Sequence, residues 1–275
     1  MWEYIKAILY GALEGITEWL PISSTGHLIL FGNSLMPQSL LALDSEFTDM
    51  LNVVIQLFAI FAVVCAYPKE LFPIGKEKKK ILCLWWKLIL TTLPAAVIGL
   101  IANSLCSRFF GKDVDTLLFN PKAVASALIV YGILFIITER LTVSNNSGGE
   151  ITPRTALSIG FFQALAIVPG TSRSGATILG SRILGISREK AAKFSFFAAV
   201  PVISAASILK LIDFFSLDII VPPKAVCLAF TAGISSFIVS MLTMKALTDL
   251  VKKHTFIPFG IYRIAMGIAV LALAK

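Results

Sequence analysis

The chain has 275 residues, 57% of them hydrophobic and 15% charged, well below the roughly 25% charged share of soluble domains. A water-soluble fold is excluded, because apolar stretches of about 20 residues, each able to cross a hydrocarbon core of about 30 Å, recur along the whole length. The formal charge of +8 does not indicate nucleic acid, since the basic residues gather in short loops between apolar segments rather than along one polar face.

The first segment, Tyr4 to Asn33, is apolar but broken at Pro21-Ile22-Ser23-Ser24-Thr25-Gly26. Its opening residues carry Glu3 and Lys6 and no small-residue cleavage site, which excludes a removable signal peptide. Three full spans are expected next, near 48 to 68, 83 to 104 and 122 to 141. A second broken segment runs from Arg154 to Leu184, interrupted at Pro169-Gly170-Thr171-Ser172-Arg173-Ser174-Gly175, and three more spans follow near 190 to 212, 224 to 247 and 256 to 274. Cys65, Cys83, Cys106 and Cys227 show no paired ligand spacing and read as ordinary helix residues. Proline removes a backbone donor and glycine permits positive φ, so each break exposes backbone that needs polar partners rather than lipid. Both breaks are therefore expected to line a cavity inside the protein.

Glu14 to Gly26 can be laid over Gln163 to Gly175 without a gap, pairing Ser23 with Ser172 and Thr25 with Ser174. The chain reads as one membrane domain, 1–275, of two similar halves, about 1–141 and 154–275. An odd number of crossings per half inverts the second relative to the first, giving an all-α inverted-topology repeat. Lys and Arg divide 14 against 7 between the two sets of loops, which places both termini outside and the Lys76 to Lys80 run in the cytoplasm. That run is read as an orientation determinant, with anionic lipid headgroups as the sharper alternative.

Glu14 and Glu18 stand four apart, on one helical face and about 6 Å from each other. Ionisable groups in an apolar segment face a cavity, a partner charge or a metal. Here they either share a proton at neutral pH or both stay ionised around a divalent cation. Ser23-Ser24-Thr25-Gly26-His27 then supplies hydroxyls, an imidazole and the free N–H groups of a helix start, the parts a phosphoryl-transfer site needs. Arg173 offers a charged fork to phosphate oxygens. A plainer reading is a buried ion pair from Arg173 to Glu14 or Glu18, which would still join the two motifs.

The segments Glu14-Gly15-Ile16-Thr17-Glu18-Trp19-Leu20-Pro21-Ile22-Ser23-Ser24-Thr25-Gly26-His27 and Pro169-Gly170-Thr171-Ser172-Arg173-Ser174-Gly175-Ala176-Thr177 closely resemble the two signature motifs of the undecaprenyl-pyrophosphate phosphatase family associated with bacitracin resistance. The likeness extends through Ile55-Gln56-Leu57, Phe194-Ser195-Phe196 with Pro201, and Phe259 to Ile264. The resemblance implies a bacterial plasma-membrane hydrolase of undecaprenyl pyrophosphate, with six spanning helices, two re-entrant helical hairpins and a pocket open to the outer leaflet. It also implies a homodimer and dependence on a divalent cation, Mg2+ or Ca2+. The functional residues it carries over are Glu14, Glu18, Ser24, His27 and Arg173, with Ser23, Thr25, Gly26, Thr171, Ser172 and Ser174 around the phosphates. Glu14 and Glu18 would be the metal ligands.

Lys193 and Phe58 depart from the family pattern, outside the expected chemistry. Gln56, Glu139, Arg263 and His254 are read as structural. The residues leave the nucleophile open between Ser24 and His27. The alternative function is a carrier that flips the same anionic lipid, since broken helices in inverted repeats suit alternating access; a carrier has no need of paired carboxylates beside a Ser-Ser-Thr-Gly-His stretch.

Overall fold

The computed structural model describes residues 1–41, 45–73, 77–112, 114–142, 148–216 and 221–273. Lys76 and Lys275, which enter the charge count, lie outside the described residues. Every regular element among the described residues is helical. The main ones are α1 (Trp2–Thr17), α2 (Ser24–His27), α3 (Ser45–Ala66), α4 (Lys78–Phe110), α5 (Pro121–Leu141), α6 (Pro153–Ala164), α7 (Arg173–Ile183), α8 (Arg188–Phe215), α9 (Pro223–Lys253) and α10 (Ile257–Leu273).

Local chemistry sets the ends of several of these. Asn120 caps α5 by accepting from the Ala123 N–H at 2.8 Å, and Thr152 caps α6 by accepting from the Thr155 N–H at 3.2 Å. In both, proline occupies the first helical position, where its missing N–H deprives nothing. Gly111, at φ 64°, ends α4 in the left-handed region that a side chain would disfavour.

Five helices, α3, α4, α5, α8 and α9, are long and apolar enough to cross a membrane. Where the sixth span was expected lies α10, a shorter apolar helix of 17 residues, about 26 Å of helix against a core of about 30 Å. Only 17% of the most apolar stretch of α4 is buried. Leu82, Trp86, Ile89 and Leu93 form an exposed stripe along it, a surface that only lipid or a partner of like polarity would cover.

The two halves interlock by exchange. The first helix of each broken segment packs against the middle span of the other half, α1 on α9 and α6 on α4, while α3 meets α8 and α5 meets α10. Glycine allows the closest of these approaches: a Cβ at Gly15 would lie 2.7 Å from the Ser236 carbonyl oxygen, and one at Gly132 would lie 2.7 Å from that of Gly260. The largest core cluster, containing Trp19, Phe196, Phe197, Val63 and Leu88, fills the space between the breaks and the α3 and α8 spans.

Arg182, expected as a cytoplasmic loop charge, is instead almost fully buried. Its Nε donates to Glu139 Oε1 at 2.7 Å, its Nη1 to the Ile186 carbonyl at 2.7 Å and its Nη2 to the Thr142 hydroxyl at 2.9 Å, while Arg188 reaches Glu139 Oε2 at 2.6 Å. Glu139 is structural as expected, and the carboxylate it buries needs two guanidiniums to compensate its lost hydration. His254 is exposed just past the end of α9.

Candidate active site

Both breaks have the same construction. α1 stops at Thr17 and α2 begins at Ser24, while α6 ends at Ala164, a 3-10 turn covers Leu165–Ile167, and α7 begins at Arg173. The residue before each second helix, Ser23 or Ser172, has positive φ, 73° and 70°, and its hydroxyl accepts from the N–H three residues on, at Gly26 or Gly175. These are the two serines that the internal alignment pairs.

The breaks abut each other. The Ser174 hydroxyl donates to the Leu20 carbonyl at 3.1 Å and lies 3.1 Å from the Ser172 hydroxyl. Arg263, fully buried on α10, donates to carbonyls of both breaks: Pro21 at 3.1 Å, Gly170 at 2.9 Å and Thr171 at 2.8 Å. Its guanidinium also sits over the Tyr131 ring. The expected helix-to-helix bonding of Arg263 thus falls on the freed backbone of the two turns.

The ion pair between the motifs is present. Arg173 Nη2 donates to Glu18 Oε1 at 2.8 Å, Nη1 donates to the Ser195 carbonyl at 2.7 Å, and the Trp19 ring lies beneath the guanidinium. The Ser195 and Thr177 hydroxyls, 2.7 Å apart, fix that corner between α7 and α8.

Beside this pair opens a cavity of about 510 Å³, lined by Glu14, Ser24 and Thr25 from the first break, Pro169 from the second, Asp49, Asn52 and Gln56 from α3, and Lys210 from α8. Of the expected site residues, Glu14, Ser24 and Thr25 face it directly. Glu18 and Arg173 do not line it; they are paired with each other, Glu18 one helical turn on from Glu14. Ser23, Gly26, Thr171, Ser172 and Ser174 build and join the turns rather than lining the cavity. His27 is turned away towards α10: its Nδ1 lies 2.7 Å from the Ser23 carbonyl and its Nε2 2.7 Å from the Tyr262 hydroxyl, and the two rings stack. A carbonyl can only accept, so in the neutral ring Nδ1 holds the proton and Nε2 accepts from Tyr262.

Besides Lys210, three polar cavity residues on α3 stand outside the expected set. Asp49, Asn52 and Gln56 lie at i, i+3 and i+7, one face of α3. The Tyr10 hydroxyl donates to Asn52 Oδ1 at 2.8 Å, and Gln56, expected only to bond between helices, lies beside Glu14. Among the described residues Glu14 Oε1 is buried without a hydrogen-bond partner. It shares the cavity wall with Asp49, Asn52 and Gln56, oxygen-bearing side chains of the chemistry that suits Mg2+ or Ca2+. No three His, Cys, Asp or Glu side chains among the described residues cluster as a metal cage. A cation here would therefore be completed by amide or phosphate oxygens.

Residues 7–269 match the family model of the bacitracin resistance protein BacA. This chain belongs to that family. It is 45% identical over 280 residues to an undecaprenyl-diphosphatase of Acetivibrio thermocellus, covering 98% of this chain and 97% of the relative. It is 44% identical to those of Enterococcus faecalis, over 95% and 94% of the two chains, and Streptococcus mutans, over 98% and 95%. With five helices long enough to span, this BacA family member is a multi-pass membrane protein.

Proposed function

We propose that the chain hydrolyses undecaprenyl pyrophosphate to undecaprenyl phosphate and inorganic phosphate, recycling the lipid carrier for cell-wall polysaccharide synthesis. The observation that carries this reading is the cavity in which the Ser24 hydroxyl, at a strained helix start, shares a wall with the buried Glu14 carboxylate beside the Arg173 fork. The names of the full-length relatives support the substrate.

In this mechanism Ser24 Oγ attacks the terminal phosphorus while Glu14 accepts its proton. The bridging P–O bond breaks and the lipid monophosphate leaves. Water then attacks the phosphoserine, releasing inorganic phosphate and restoring the hydroxyl. Arg173, held in place by Glu18 and Ser195, turns its guanidinium to the equatorial oxygens, and the free N–H groups at the break add donors to them. His27, tied to Ser23 and Tyr262, positions the Ser23 turn. A divalent cation, Mg2+ or Ca2+, would be held by Glu14 with Asp49 and Gln56, and Glu18 could join only by sharing itself with Arg173. When bound it supplies charge neutralisation at the phosphates.

The reading includes six crossings, with α10 as the short sixth, and two re-entrant hairpins in an inverted-topology repeat, supported by the exchanged packing and the matched serine geometry. It places the chain in the bacterial plasma membrane with the cavity open to the outer face, supported by the lysine excess at the other end of α8. A homodimer is part of the same reading, on the strength of the motif resemblance. Phosphate release by purified protein in detergent, where no transport can occur, is the test. Rapid quenching with substrate labelled in its terminal phosphorus should trap acid-stable label on Ser24. Acid-labile label on His27 would overturn the serine assignment, and a pure carrier would release no phosphate at all.

A further inference from the structure

A second cavity, of about 540 Å³, lies among α4, α8 and the short helix Pro68–Leu71. It belongs to the other end of the molecule. Lys193 lines it and Lys210 lines the active-site cavity, and the seventeen-residue rise of α8 from one to the other corresponds to about 25 Å. The two are separated by packed rings, Trp19 edge-on to Phe196 and Tyr67 edge-on to Phe197.

The charge of this cavity is out of balance. Lys69, Lys80, Lys87 and Lys193 face Glu70 and Glu77, a formal +2. Lys193 is paired with Glu70 at 2.8 Å and Lys80 with Glu77 at 3.4 Å. Among the described residues Lys69 and Lys87 have no carboxylate within ion-pair distance. Lys87 is the unusual one. It lies nine residues into the apolar α4, about 14 Å along the helix, at a depth where an ammonium is retained only with a partner or a polar route. Lys80, Leu84 and Lys87, at i, i+4 and i+7, share the face of α4 opposite its exposed apolar stripe and turn into the cavity. A lysine run that served orientation alone would need neither an enclosed space nor a cation set this deep.

We propose that this cavity binds the phosphoryl headgroup of an anionic lipid, in the leaflet opposite the one that serves the active-site cavity. A phosphomonoester carries a charge of about −2 at neutral pH, matching the surplus, and Ile81, Leu84 and Phe197 give it an apolar wall against which the glycerol end can rest. The assignment does not depend on any step of the proposed hydrolysis.

The test is native mass spectrometry of the purified protein with dioctanoyl phosphatidic acid, dioctanoyl phosphatidylcholine or inorganic phosphate, comparing the parent with Lys69→Gln/Lys87→Gln. The parent should retain one more phosphatidic acid than the variant, and the apparent affinity at that site should fall about 30-fold on losing two charges. Phosphatidylcholine adducts should be equal in both. Phosphohydrolase turnover at the parental level shows that the variant is folded. Equal phosphatidic acid occupancy in parent and variant would overturn the proposal. A lysine-dependent inorganic phosphate adduct that blocks phosphatidic acid would make free phosphate the occupant and overturn the lipid assignment. Uptake of phosphatidic acid without inorganic phosphate at the same concentration upholds it.

Discussion

Ser23 and Ser172 hold φ of 73° and 70°, a region that costs an L side chain about 1–3 kcal/mol and persists only where the surroundings over-determine it. What over-determines it here is the hydroxyl bond to the following helix start and the Arg263 clamp on the neighbouring carbonyls. The benefit falls on Ser24, which is left at the cavity wall as the first residue of a helix. The acids divide their roles: Glu14 faces the cavity with one oxygen free, whereas Glu18 is committed to Arg173. Glu14→Gln and Glu18→Gln should each lower turnover by about 10²-fold or more, but their effects on binding should differ. Glu18→Gln releases the guanidinium to the phosphates, so apparent affinity for the pyrophosphate lipid should hold or tighten; Glu14→Gln should also weaken the response to added Mg2+ or Ca2+. Steady-state kinetics across a cation titration would show this, and a parallel loss of affinity in Glu18→Gln would make the Glu18–Arg173 pair a packing element only.

At the level of helices, the breaks and the spans were legible because run length, proline and serine carry them directly. The partners of each helix were not, since hydropathy gives no sign of which face meets which neighbour. The polar face of α3 shows why: Asp49, Asn52 and Gln56 are diluted by the apolar residues between them in any 19-residue average, and only their helical spacing reveals a lined cavity. Arg182 differs from expectation for a related reason, because a charge in the last turn of a helix looks the same in sequence whether it meets water or Glu139. His27 could not be placed without knowing that Tyr262, far along the chain, stacks on it. Close glycine contacts are the other hidden determinant. Gly132→Val would drive a side chain into the Gly260 carbonyl and Ile264, and such overpacking costs about 1–3 kcal/mol. The midpoint of thermal unfolding in detergent should fall, with loss of activity following the shift of α10; an unchanged midpoint would show that α5 and α10 separate easily.

For the molecule as a whole, the exchanged packing of the halves accompanies an unequal division of chemistry. Glu14 aligns with Gln163, whose amide donates to the Thr91 carbonyl at 3.1 Å, and Arg173 aligns with Ser24. In the proposed mechanism the acids and the nucleophile thus come from one half and the guanidinium from the other, so neither half alone would hold a working site. Orientation is checked directly: a protease site or thiol inserted beside Lys78 to Lys80 should be inaccessible from outside intact cells, and modification there would reverse the topology. The Arg263 clamp has a further consequence, for biosynthesis. A ribosome makes α10 after both breaks, and until α10 arrives the carbonyls of Pro21, Gly170 and Thr171 lack the Arg263 donor that ties the turns together. Until then the two turns are held only by the Ser174–Leu20 bond and the Arg173–Glu18 pair, so the proposed site gains its full set of ties late in synthesis.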